Sequence, residues 1–159
     1  MKAFVLLLSI FVAFSVASAE PFVVIVRHAE KAATDPKDPD LSAAGRARAE
    51  MLARIVKDSG ITAIFTTEFK RTQQSSAPTS TSTGVAPTIV PGKDTAGLIA
   101  KLRALKGNAL VVAHGNTIPD IVKALGIDSP IQIPDDDYKE MFVVNLGERP
   151  QLLRLHFPE

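Results

Sequence analysis

The chain has no cysteine and no tryptophan, and one tyrosine and eight phenylalanines make up its aromatic content. Without cysteine there are no disulfides and no thiolate metal ligands, so a fold built by this chain rests on its own hydrophobic core. Neither sign of charge dominates: 18 Lys and Arg against 17 Asp and Glu give a formal net charge of +1. That balance argues against a nucleic-acid partner or an anionic membrane surface. No internal repeat is present, and no apolar run reaches the ~20 residues that a membrane-spanning helix needs.

One apolar run is nevertheless long. AFVLLLSIFVAFSV, Ala3 to Val16, follows Lys2 and precedes Ala17-Ser18-Ala19, a small-x-small cleavage pattern. Residues 1–19 therefore read as a signal peptide, with an uncleaved anchor as the alternative. Residues 20–159 read as one domain, large enough to bury about two-thirds of its unfolded surface. The expected destination is the bacterial periplasm or the medium, with no stable membrane insertion after cleavage.

The mature segment alternates strand and helix signals. FVVIV (Phe22–Val26) is a continuous apolar run, suited to a strand buried on both faces. Lys31–Asp40 is charged and broken by prolines, hence a surface loop. Ser42 caps a helix from Ala43 to about Asp58, which Gly60 ends. Ile61–Thr67 is a second strand. The segment after it starts as a helix, in which Pro78 predicts a break or kink. Ala86–Val90 is a short third strand. Asp94 or Thr95 opens a helix to about Lys106, and Asn108–His114 is a fourth strand. A short helix with Pro119 in its first turn follows. MFVVNL and LLRLHF form a hairpin around Gly147. The order predicts an α/β fold: a three-layer α/β/α sandwich with a mainly parallel central sheet and a C-terminal antiparallel hairpin.

In such folds ligands bind beyond the carboxyl ends of the strands. Arg27 and His28 end the first strand, Thr66 and Thr67 the second with Arg71 just after, and His114 the fourth. Two arginines and two histidines at one edge make an anion site, because a guanidinium presents a planar fork to phosphate or carboxylate oxygens. A neutral imidazole beside them can attack phosphorus, with the arginines stabilising the transition-state charge and no metal or other cofactor required. Taken singly, each of these residues is more often a surface or turn residue. A zinc site would need a third ligand, Glu30 or Asp94, and no H-x-H or H-x-x-x-H spacing supports one. His156, inside the last strand, reads as structural.

VVIVRHAEK, LSAAGRARAEMLA, IFTTEFKRTQQSS and LVVAHGNT together resemble the successive motifs of the histidine phosphatase superfamily, in its phosphoglycerate-mutase-like branch. The small size is similar to that of bacterial phosphohistidine phosphatases. The resemblance implies that His28 is the phosphorylated nucleophile, that Arg27 and Arg71 grip the phosphoryl group, and that His114 completes the pocket as a donor. Ala29 stands where the family has Gly, so the turn must accept a Cβ. Thr67 keeps the family's Ser/Thr at the fourth position before Arg71. The family's Glu general acid, between the Arg71 motif and the second His, has no counterpart. Asp94 is the acid there or merely a helix cap, and Glu30 is a second candidate by proximity. Asn116 either donates to the substrate or caps the following helix. The partner implied is a small phosphorylated substrate or a phosphoprotein. The readings in contention are an exported, metal-independent phosphatase, a non-catalytic phosphate-binding module, and, behind both, a mutase.

Overall fold

The computed structural model describes residues 20–33 and 35–158. The signal-peptide reading of residues 1–19 lies outside the described residues. The elements are β1 (Phe22–Arg27), α1 (Ala43–Ile55), β2 (Ile61–Thr66), α2 (Lys70–Thr83), β3 (Pro87–Ile89), α3 (Thr95–Arg103), β4 (Asn108–Ala113), α4 (Ile118–Ala124), β5 (Glu140–Asn145) and β6 (Leu152–His156). The sheet order is β3-β2-β4-β1-β5-β6. The pairs β1–β4, β2–β4 and β2–β3 are parallel, and β5 and β6 add the antiparallel hairpin. The alternating βα pattern and the terminal hairpin thus give the expected architecture. Among the described residues no helix is long and apolar enough to cross a membrane.

Both faces of the sheet are covered, and this is why β1 carries no polar alternation. Val23 and Ile25 pack with Leu98 and Leu102 of α3 and Ile118, Ile121 and Val122 of α4. Val24 and Val26 point the other way, to Leu52 of α1, Val56 and Met141. Successive strand residues face opposite sides, so a strand between two helical layers must be apolar throughout.

Two boundaries differ from expectation. The first helix ends at Ile55, three residues short of Asp58, where the chain tightens into a turn closed by Ser59 N–H to Val56 O and then Gly60 at φ 61°. The larger difference is at Pro78. No break occurs, and α2 runs through it to Gly84, a left-handed C-cap at φ 72°. A proline costs one backbone hydrogen bond and a contact with the preceding turn. Packing outweighs that cost here, since Thr72, Ser75, Ser76 and Thr79 are all buried on the inner face of this polar helix. Three of these hydroxyls bond back to its own carbonyls: Thr72 to Phe69, Ser75 to Arg71 and Ser76 to Gln73.

Gly45 sets the approach of α1 to the loop after β1. A Cβ there would collide with the Glu30 carbonyl oxygen and lie 3.0 Å from its nitrogen. Backbone atoms cannot swing aside as a side-chain tip can. Gly45→Ala is therefore expected to destabilise the fold by about 1–3 kcal/mol despite its better helix propensity. Urea unfolding would check this; a neutral result would mean that α1 slides freely over the loop.

Candidate active site

The site forms at the carboxyl edge of the parallel strands. β1 and β4 pair through Arg27 and Ala113, and the ladder continues one residue further, with His28 N–H donating to Ala113 O at 2.9 Å. This brings His28 beside His114, with ring centroids 5.4 Å apart at an interplanar angle of 64°. The turn after His28 is held from the helix side. Ala29 N–H donates to Ser75 Oγ (2.9 Å), whose hydroxyl donates to Arg71 O (2.7 Å). One serine thus ties the His28 turn to the start of the helix that carries Arg71. No residue other than glycine has positive φ among the described residues, so Ala29 fits its turn without the backbone strain that Gly would relieve.

The tautomer of His28 follows from its partner. Its Nδ1 lies 2.9 Å from Ala29 O, which can only accept, so Nδ1 carries the proton and Nε2 keeps its lone pair. Burial pushes the pKa of His28 down to about 4, with His114, Arg71 and Arg27 adding to the fall and the bond to Ala29 opposing it. At neutral pH the ring is an unprotonated nucleophile.

His114 is also lowered to about 4, by burial first and then by Arg71, while Glu68 pulls the other way. Its Nε2 meets Thr67 Oγ1 at 3.0 Å, and Thr67 Oγ1 meets Thr72 Oγ1 at 3.0 Å. Thr72 sends its only hydroxyl proton to Phe69 O (2.8 Å), so it accepts from Thr67, which in turn accepts from His114 Nε2–H. Protonating His114 would create a second donor on Nδ1. A bound phosphoryl dianion would favour that form.

The two arginines are held from outside and left open inward. Arg27 Nη1 donates to Pro134 O (2.8 Å) and Asp137 O (2.9 Å), and its guanidinium lies 4.3 Å from the Tyr138 ring centroid. Arg71 stacks 4.3 Å over Phe69, which itself meets His114 edge-on at 5.3 Å. Asp38 is 3.8 Å from Arg71 Nη1. The Nε atoms of both arginines are buried without a hydrogen-bond partner. A buried donor of this kind calls for a partner, and an anion bound in the opening would supply one.

The other sequence candidates have partners or positions of their own. Asp94 caps α3, its carboxylate accepting from Gly97 N–H at 2.8 Å. Glu30 forms a two-pronged pair with Arg48 of α1, with contacts of 2.5 to 3.0 Å. Asn116 is exposed, and Thr117, not Asn116, is the residue that precedes α4. His156 is solvent-exposed on β6 near Glu140. Among the described residues no three His, Cys, Asp or Glu side chains come together as a metal site. Sequence reasoning missed Tyr138, Phe69, Glu68 and Thr72. Phe69, Glu68 and Thr72 flank Arg71 in the motif, and that closeness was the available signal.

The buried imidazoles carry a pH consequence. Each folded pKa of about 4 lies below the ordinary 6.5, so the unfolded chain binds more protons between those values. Their stabilisation is full above pH 6.5 and is lost as pH falls towards 4, by up to about 3 kcal/mol for one ring. Imidazole proton resonances of His28 should titrate near pH 4 in the folded protein; a midpoint near 6.5 would refute the burial argument.

The sequence model of the histidine phosphatase superfamily (branch 1) matches residues 23–92. No curated protein sequence matches the chain. Among solved structures, the protein histidine phosphatase SixA complexed with tungstate superposes with a TM-score of 0.71 at 18% identity, covering 85% of this chain and 96% of that one. The alpha-ribazole phosphatase from Shigella flexneri gives 0.70 at 15% identity, over 85% and 96%. A mycobacterial glucosyl-3-phosphoglycerate phosphatase with inorganic phosphate gives 0.69 at 15% identity, over 87% and 98%. At these identities the likeness is one of fold.

Proposed function

We propose that the chain is a member of the histidine phosphatase superfamily (branch 1), whose sequence model matches residues 23–92, and that it is an exported phosphatase that acts through phospho-His28 and needs no metal. The observation that carries this reading is the pair of buried, unpartnered Nε–H groups of Arg27 and Arg71 beside a neutral His28. The substrate class is a phosphomonoester or phosphoramidate, free or on a protein. Phosphoryl oxygens dock on the two guanidinium edges, and His114 adds a donor on protonation. His28 Nε2 attacks phosphorus as the leaving group departs, and water then hydrolyses the phosphohistidine. The guanidiniums supply the positive charge that a metal would otherwise provide. Export rests on residues 1–19 alone.

The test is phosphate release from p-nitrophenyl phosphate by residues 20–159 in EDTA, with His28→Ala alongside. This aryl leaving group needs little proton assistance. Turnover that disappears with His28 supports the reading. Phosphate binding without turnover would instead make the chain a phosphate-binding module.

A further inference from the structure

Both acidic residues expected to move protons already hold partners, Asp94 accepting from Gly97 N–H at the start of α3 and Glu30 pairing with Arg48. A third carboxylate stands at the mouth of the site. Glu68 lies in the loop between β2 and α2, next to Thr67, and its Oε2 accepts from Gly92 N–H at 2.8 Å. Gly92 follows β3, so this bond ties the loops after two neighbouring strands together. Gly92 has no side chain to fill the space between them. A Cβ placed there would lie 3.7 Å from Glu68 Oε2, 3.6 Å from His114 Nε2 and 3.6 Å from Thr67 Cγ2. Glu68 and His114 therefore flank the same small opening. His28, whose ring is 5.4 Å from that of His114, is buried, whereas Glu68 is exposed and reachable by water.

Building on the phospho-His28 reading, we propose that Glu68 is the general base for the second half of the reaction. Water approaching phospho-His28 from the mouth gives a proton to the Glu68 carboxylate as its oxygen bonds to phosphorus. The phosphorus–Nε2 bond breaks, and its electron pair returns to the His28 ring. Phosphate leaves, and the proton on Glu68 passes to solvent or to the leaving oxygen of the next substrate. The carboxylate enters this step ionised, because hydrogen bonds from its own N–H and from Gly92 N–H hold its pKa below the ordinary value.

Glu68→Gln tests this, because an amide oxygen keeps the bond from Gly92 N–H and removes only the basicity. Quenched-flow with p-nitrophenyl phosphate separates the steps. Nitrophenolate release reports phosphorylation of His28, and an alkaline quench, which phosphohistidine survives, reports its hydrolysis. The expected result is hydrolysis slowed at least about 30-fold, phosphorylation within about threefold, and phospho-His28 accumulating. Equal slowing of both steps would reduce Glu68 to a tether for Gly92, and no slowing of hydrolysis would remove it from the chemistry; either overturns the proposal. Absence of phospho-His28 in the wild-type protein would instead overturn the reading on which it rests.

Discussion

His28→Ala is expected to lower kcat for p-nitrophenyl phosphate by at least about 10,000-fold, the scale seen when a nucleophile is removed. Tungstate affinity should stay within about tenfold. The two effects separate because His28 is neutral above its pKa of about 4 and adds no charge to the anion site. The charge comes from Arg27 and Arg71, whose outer contacts to Pro134, Asp137 and Phe69 do not involve His28. Turnover kinetics and isothermal titration with tungstate would check the pair of values. Stability should respond as well. Removing the ring leaves Ala29 O without its donor and opens a cavity, at a cost of about 1–3 kcal/mol near neutral pH. The wild-type protein loses stability as pH falls from 6.5 towards 4, because the unfolded ring takes up a proton that the folded ring refuses. The mutant lacks that term, so the gap between them should narrow across this window. Loss of turnover together with loss of tungstate binding would point to collapse of the site and leave the nucleophile unidentified.

Residues that act through their own strand could be read directly from the sequence. FVVIV is apolar throughout because both its faces are covered, and the same strand then delivers Arg27 and His28 to the edge. Ser42 and Asp94 cap helices as their positions suggested. What escaped depends on pairs that only the fold brings together. Glu30 meets Arg48 across the loop before α1, and nothing local marks that partner. Tyr138 reaches Arg27 because the chain between α4 and β5 crosses back over the edge of β1 and places two carbonyls on the Arg27 guanidinium. Glu68 is hidden for a different reason: the family's acid lies after the Arg71 motif, whereas this carboxylate lies before Arg71 and reaches the loop after β3 only through space. That the helix runs unbroken through Pro78 is not legible locally, because the buried hydroxyl face of α2 enters only with the fold.

Arg71→Ala should lower kcat/KM by about 1,000-fold, and Arg71→Lys should recover no more than about tenfold of that loss. The buried part of Arg71 is its Nε, a donor that lysine lacks, so restoring the charge does not restore the fork. The folded protein should barely notice either change. The contact of Arg71 with Asp38 is long, at 3.8 Å, and its other anchor is a stack on Phe69. Exposed or loosely paired ions contribute little to stability. Arg27 differs, since its Nη1 secures the Pro134–Asp137 segment, and Arg27→Ala should lower stability and activity together. Arg71 also holds down the pKa of both histidines, and for His114 it ranks second only to burial. Its removal should therefore raise both values from about 4 towards 6.5 and move the acid limb of the kcat/KM profile to higher pH. Arg71→Lys should leave that limb near its wild-type position, because the ammonium keeps the repulsion. A profile in which the alanine variant loses rate without shifting its acid limb would place Arg71 in substrate binding and leave burial, rather than its charge, as what keeps His28 neutral.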